Sequence, residues 1–435
     1  MAKPTLTVEL EVDPNANLQP FFTLDSPTLG ILDDPSGLSI LAGLQFFDVS
    51  EYVAGVSINR GASRELDRIT AGQASVVFNN DTRLFDPENT ASPFSDQLLP
   101  RRQLRIKANG TPVYLGIVDD WDFNYDLTGN NTSTANCYDK LTLLSRQQLD
   151  LFAVPEQLPG ARVTDILDRP EVNWSASERN IEAGENVLAS GTVVSGTNAL
   201  EYLNLINTSE DGSLYIAKNG YFTFQDGLSG PSSTNSVLFS SEGDGVPFTA
   251  VDIVYGSELL YNRVITTQES TGVSVVAEDL DSQDLYGIST IEQDILVENL
   301  SDSIDLSITL LNRYNEPEYR FESLEVDITE LTPTQQTNLL GIELNDTSHI
   351  KFQPNNTGVV IDKYAQVIGI KHAIDAKRHK MAFAFRTLDF APFVLDDAVF
   401  GTLGGSLETY DLSSLTYDDV IRYDGTDSPT GNRLG

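Results

Sequence analysis

Three histidines, His349, His372 and His379, are the side chains of this 435-residue sequence best suited to metal ligation or proton transfer. A zinc-type site needs a third ligand and partners at i, i+4 on a helix or i, i+2 on a strand. His372 and His379 stand seven apart, flanking a basic stretch over 371–380 that could be amphipathic. That spacing points to solvated or structural histidines. Paired carboxylates such as Asp119-Asp120 and Asp418-Asp419 have the residue type for glycosidic chemistry. With 64 acidic residues such pairs arise without selection, so they single out no site. No nucleophile elbow, phosphate-cradling glycine loop or zinc-protease helix occurs. The oxygens of Asn79, Asn80, Asp81, Asp86, Glu88 and Asn89 suffice for a Ca²⁺ or Na⁺ ion, but the order is not that of a dedicated calcium loop. A turn whose side chains bond their own backbone is the simpler expectation. The single cysteine, Cys137, excludes an intramolecular disulfide and reads as a small buried hydrophobe in a strand. The expectation is a protein without catalytic residues, metal or cofactor.

The elements that would position any site are mostly strands. Short runs rich in Val, Ile, Thr or Tyr, bounded by Gly, Asn, Asp or Pro, fall at 5–12, 52–59, 103–108, 113–118, 237–240, 263–267, 274–277, 307–311 and 363–370. Ala74, Val76 and Phe78 alternate with Ser75, Val77 and Asn79, which predicts another half-buried strand. Helices are expected at 139–149, at 198–206 and at 329–340, where Pro333 follows a Thr-Glu-Leu-Thr start. Asn219-Gly220 predicts a hairpin within 212–227. The fold class is mainly β with a few short helices, in several domains. The expected blocks are an extension over 1–48, a β-domain over 49–150, a mixed α/β domain over 151–250, a second β-domain over 251–385 and a tail over 386–435.

Charge narrows the function classes. Sixty-four acidic against 27 basic residues give −37, which argues against binding nucleic acid or an anionic membrane. Disorder is rejected because 40% of residues are hydrophobic and recur in short alternating runs. Asp exceeds Glu and Arg exceeds Lys, a pattern suited to concentrated salt, where screening shortens to about 3 Å at 1 M. Met1-Ala2-Lys3-Pro4 opens no apolar signal core, so synthesis and folding in a cytoplasm are expected. No run approaches the roughly 20 apolar residues that span a bilayer, so no membrane insertion is expected. The charge is also uneven. Residues 278–330 hold 15 acidic residues and two basic ones, Arg313 and Arg320, whereas 60–107 hold eight basic and six acidic. The near-neutral stretch contains Arg60, Arg64, Arg68, Arg101, Arg102 and Arg105, and arginine forks suit contacts with carboxylates of a neighbouring subunit. Pairing inside one subunit, with Glu65, Asp67 and Asp86, is the competing account.

Residues 61–92, GASRELDRITAGQASVVFNNDTRLFDPENTAS, place a charged loop, a strand and an Asn/Asp-rich turn before the basic strand Arg101-Arg102-Gln103-Leu104-Arg105-Ile106. In that order and spacing, over residues 45–150, the chain resembles the minor tail or baseplate tail-hub proteins of long-tailed, siphovirus-like viruses of bacteria and archaea. The resemblance implies two β-barrels related to the tail-tube fold, separated by a smaller mixed domain, with Tyr261-Asn262-Arg263-Val264 as the return into the second barrel. It implies a homo-oligomer, a trimer in the family, set below a hexameric distal-tail ring protein and the tail tube. A tape-measure protein and peripheral receptor-binding proteins are the further partners implied. Viral DNA would transit the channel without specific binding, past an acidic wall, and the protein would reside in the virion. A halophilic host fits the composition. An internal repeat pairs Phe22, Leu24 and Leu32 with Phe393, Leu395 and Leu403, and reads as two apolar clips that dock the termini on a neighbour. A distal-tail ring protein, a secreted carbohydrate-binding or adhesive β-protein, and a hydrolase with an unrecognised acid pair remain alternatives.

Overall fold

The computed structural model describes residues 2–13, 45–66, 70–127, 129–227 and 232–388. The clip residues Phe22, Leu24, Leu32, Phe393, Leu395 and Leu403, and Arg68, lie outside these described residues.

The N-terminal part supplies β1 (Leu6–Val12), β2 (Gln45–Asp48), β3 (Val53–Gly61), β4 (Thr70–Asn79), β5 (Gln103–Ala108), β6 (Thr111–Asn124) and β7 (Thr132–Tyr138). Alternation drives them: Ala74, Val76 and Phe78 on β4 and Leu104, Ile106 and Ala108 on β5 are buried at every second position. The middle part contributes α1 (Pro159–Leu167), α2 (Ala199–Glu210) and the hairpin β8 (Ser213–Ile216)–β9 (Phe222–Gln225). Asn198 caps α2, its Oδ1 accepting from the Leu200 and Glu201 amides. Gly220 sits at φ +90° in the hairpin turn, where an L side chain would be strained. Then come β10 (Ser232–Ser240) and β11 (Ala250–Tyr255). A small unit follows, with β12 (Arg263–Gln268), β13 (Ser274–Glu278), α3 (Leu280–Tyr286), β14 (Thr290–Ile295) and α4 (Leu300–Tyr314). The chain returns through β15 (Tyr319–Asp327), α5 (Pro333–Gly341), β16 (Asp346–Phe352), β17 (Ile361–Asp375) and β18 (His379–Leu388).

Mainly β structure in several packed bodies is what the molecule shows. Among the described residues thirteen strands form one sheet in the order β11-β15-β18-β17-β3-β4-β7-β6-β5-β1-β2, with β16 also on β17 and β10 on β16. Strands from the two ends of the chain therefore join directly, and the ladder does not close on itself among the described residues. One apolar core runs under both halves, from Val8, Val76 and Phe85 to Phe239, Phe321 and Phe383. A second core, with Leu144, Ile166, Leu203 and Phe224, lies in the α1–α2 region. A third, with Val264, Ile295, Leu310 and Tyr314, belongs to the small unit.

Two local expectations are corrected. Residues 307–311 are helical within α4, because Ser303, Leu306, Ser307, Leu310, Leu311 and Tyr314 repeat at helical spacing and are buried along one face. The short apolar run Ile308-Thr309-Leu310-Leu311 is ambiguous taken alone. The helix expected over 139–149 shrinks to one turn, Leu141–Leu144, because Gln148–Leu149 pairs as a strand with Thr197–Asn198.

Candidate functional site

Where β3 meets β17, the two halves of the sheet come together at a pair of glycines. Gly369 stands opposite Gly61, and a Cβ on either would fall 2.2 Å from a backbone oxygen, Ile368 O for Gly61 and Ala62 O for Gly369. Close approach of two backbones explains both residues. Beside them an ionic joint ties three distant segments. Arg60 on β3 is only 4% exposed. Its Nη2 donates to Glu343 Oε1 at 2.5 Å and to Ile216 O at 3.0 Å. The other Glu343 oxygen accepts from the Lys218 amide at 2.8 Å. Lys218 Nζ in turn donates to the carbonyls of Leu340, Gly341 and Ile342 at the end of α5. Burial lowers the Lys218 pKa against the opposing pull of the neighbouring Glu343.

The charged loop after β3 enters a second junction, at the small unit. Glu65 accepts from Tyr314 Oη on α4 at 3.1 Å and lies 3.7 Å from Arg320 on β15. Burial raises its pKa against the opposing charges of Arg386, Arg320 and Arg313. Arg313 itself forks onto both oxygens of Asp211. A cleft of about 180 Å³ opens here, with Arg64, Glu65, Asp211, Arg313 and Arg386 among its walls.

The histidines fall in two places. His349 pairs with Asp362 and stacks on Tyr364 at 4.5 Å. His372 and His379 face each other across the β17–β18 hairpin, with Nδ1 of His372 and Nε2 of His379 3.0 Å apart. Both are buried, so the stretch 371–380 is a hairpin with an enclosed histidine pair. Burial pushes His372 well below its ordinary value, helped by His379, Arg60 and Lys218. Burial lowers His379 to about 4, with Lys3 adding and Asp327 opposing.

The Asn/Asp-rich turn spends its oxygens on the chain itself. Asn80 is buried and both accepts from the Phe85 amide and donates to the Phe85 carbonyl. Asp86 accepts from Arg83, Tyr125 and the Glu88 amide. Burial works to raise its pKa, and those bonds outweigh it and hold the carboxylate low. In this turn Phe85 stacks on Phe78, Phe94 and Trp121, with ring centres 4.5–6.3 Å from its own.

The five arginines among the described residues, Arg60, Arg64, Arg101, Arg102 and Arg105, do not form one surface. Arg60, expected at a subunit contact, is instead inside the fold, because its charge is matched by Glu343 and enclosed by the 213–218 hairpin. Arg64 is exposed and pairs with Glu258 at 2.7 Å. Arg105 pairs with Glu9 and lies 4.1 Å over the Phe46 ring. Arg101 is exposed and Arg102 half-buried. Sequence reasoning missed Glu343 and Lys218 at the joint, which lie far from Arg60 along the chain. It missed that Glu65 points inward. The one signal available was Glu65 between two arginines in a short loop.

No protein-family model matches the chain, and no curated protein matches it. Solved structures do. A tail protein from Neisseria meningitidis MC58 superposes with a TM-score of 0.56 at 10% identity, covering 88% of this chain and 96% of that one. The 43 kDa tail protein of prophage MuSo2 from Shewanella oneidensis superposes with a TM-score of 0.51 at 14% identity, covering 79% and 95%. The overall fold is thus shared, over most of the chain, with two solved tail proteins, and the likeness is one of fold alone.

Proposed function

We propose that the protein is a structural subunit of a viral tail tip, a baseplate hub that closes the tail tube and docks peripheral tail proteins. The observation that carries this is the fold shared with a tail protein along 96% of that protein's length. The ordered charged loop, strand and Asn/Asp-Pro turn over 61–92 support it independently. Its work is assembly rather than catalysis. A ring of copies, three in this reading, surrounds a channel for the genome. The acidic surface keeps phosphates from sticking to its wall. The blocks 49–150 and 251–385 act as the two ring-forming β-regions, with 151–250 between them. Of the arginines, Arg64, Arg101, Arg102 and Arg105 are assigned to contacts between copies, and the apolar repeats at 22–32 and 393–403 to docking of the termini.

Immunogold labelling of purified particles with antibody against this chain tests the reading. Label at the tail tip is expected. Label on the head or along the tube, or none on intact particles, overturns it. A distal-tail ring protein would also label at the tip. Image reconstruction separates the two, since threefold density belongs to the hub and sixfold density to the ring.

A further inference from the structure

The small unit carries a helix that is inside out. A surface helix ordinarily buries its apolar side chains and turns its polar ones to water. In α3 the one buried residue is a serine, Ser282. Leu280, Leu285 and Tyr286 are 67%, 75% and 51% exposed, and Ile288 just beyond is 68% exposed. Polar groups hold the helix down. Ser282 Oγ donates to Asn315 O at 2.6 Å, and Asn315 Nδ2 donates to Asp279 Oδ2 at 2.7 Å. Gln283 Nε2 donates to Asn262 O at 3.0 Å, and Asn262 Nδ2 donates to Gly287 O at 2.8 Å. The fully buried Asn262 thus fastens both ends of the segment. The hydrogen bonds fix the backbone so that the apolar groups stay outside. On the neighbouring α4, Leu300, Ile304 and Ile308 repeat at i, i+4, i+8 and are exposed as well.

Charge selects what could cover this surface. Residues 264–312 hold ten acidic residues and no Lys or Arg. Asp281 and Asp284 are exposed on the same short helix as the apolar groups. The same acidic face of a second copy, nucleic acid and anionic lipid are all repelled. The chain's own segments outside the described residues fit no better. Residues 14–44 contain three acids and no base, and 389–435 contain nine acids and two arginines. We infer that α3 and the turn after it form a docking surface for a different protein that presents a cationic amphipathic segment. Its apolar side chains would cover Leu280, Leu285, Tyr286 and Ile288, and its Lys or Arg would meet Asp281 and Asp284. This inference does not depend on the hub reading.

The test uses the full chain and a labelled amphipathic Leu/Lys peptide of about 18 residues. Its affinity is read by fluorescence anisotropy in about 0.15 M KCl. A scrambled peptide of the same composition and a Leu/Glu peptide are the controls. The expected result is that Leu285→Ser with Ile288→Ser weakens binding about tenfold or more. Asp281→Asn with Asp284→Asn should weaken it several-fold and flatten its salt dependence. Every substituted residue is exposed, so circular dichroism should show both variants folded. Equal binding by wild type and the Leu285/Ile288 variant overturns the inference. So does equal binding of the scrambled peptide, which reports charge alone, or of the Leu/Glu peptide, which reports stickiness alone. If sedimentation shows the same variant dissociating a wild-type oligomer, a second copy is the occupant and the inference also fails.

Discussion

The joint around Arg60 and the unit around α3 treat polarity in opposite ways. At the joint, ions are drawn inside and matched, Arg60 to Glu343 and Lys218 to the carbonyls ending α5, and the apolar side chains beneath them are covered. At α3, Asp281 and Asp284 are exposed with no salt bridge among the described residues, and the apolar side chains lie outside with them. A buried charge costs stability unless it is paired, so its partners fix how segments far apart in sequence meet. An exposed apolar group costs the folded chain little relative to the unfolded one and is free to act on something else. The first region therefore serves the fold, and the outer face of α3 contributes almost nothing to it.

Stability measurements should expose that contrast most sharply. Phe85 is fully buried among Phe78, Phe94 and Trp121, so Phe85→Ala should cost about 3–5 kcal/mol in denaturant unfolding. Leu285→Ala should change stability by no more than about 0.5 kcal/mol. A comparable loss at Leu285 would mean that α3 is covered within the fold, and the comparison would collapse.

A smaller effect is expected from the ions. Arg60→Leu leaves the mostly buried Glu343 without its cation and should cost about 3 kcal/mol. Adding Glu343→Gln should recover part of the loss. Arg64→Ser, which removes an exposed pair with Glu258, should cost less than about 1 kcal/mol. Equal costs for Arg60 and Arg64 would erase the distinction between a matched interior charge and a surface one.

The gentlest probe is pH. His372 and His379 have folded pKa values below their unfolded value, so between pH 6.5 and about 4 the unfolded chain binds more protons. Stability should fall as pH falls through that window, by at most about 1.4 kcal/mol per pH unit for each histidine. His372→Gln with His379→Gln should flatten this part of the profile relative to wild type. An unchanged slope in the variant would assign the acid sensitivity to carboxylates instead.

Much of the β architecture is legible in the sequence, because a strand with one covered face writes its pattern locally. Ala74, Val76 and Phe78 show it, as does the Asn219-Gly220 turn. Asn198 likewise announces α2. What fails to show is long-range. Nothing near Arg60 says that Glu343 will meet it, and nothing in a spacing of seven says that a hairpin will bring His372 to His379. The error over 307–311 has another cause, since an apolar run of that length fits a strand and a helix equally. The face of α3 was illegible for a third reason. The sequence shows Leu280, Leu285 and Tyr286 on a short helix, but which side is fastened depends on Asn262 and Asn315, and those lie outside it.

The pairing of β3 with β17 sets a timetable for the ribosome. Gly61 must wait for Gly369, some 300 residues later, before the inner edge of β3 is filled. At roughly 5–20 residues per second, that edge is left bare for tens of seconds while the rest of the chain emerges. A strand of alternating apolar residues with an open edge is prone to pair with the wrong neighbour. Such remote contacts also slow folding once the chain is free. Production of this protein should thus be governed less by its final stability than by how well the nascent chain is shielded until β17 arrives.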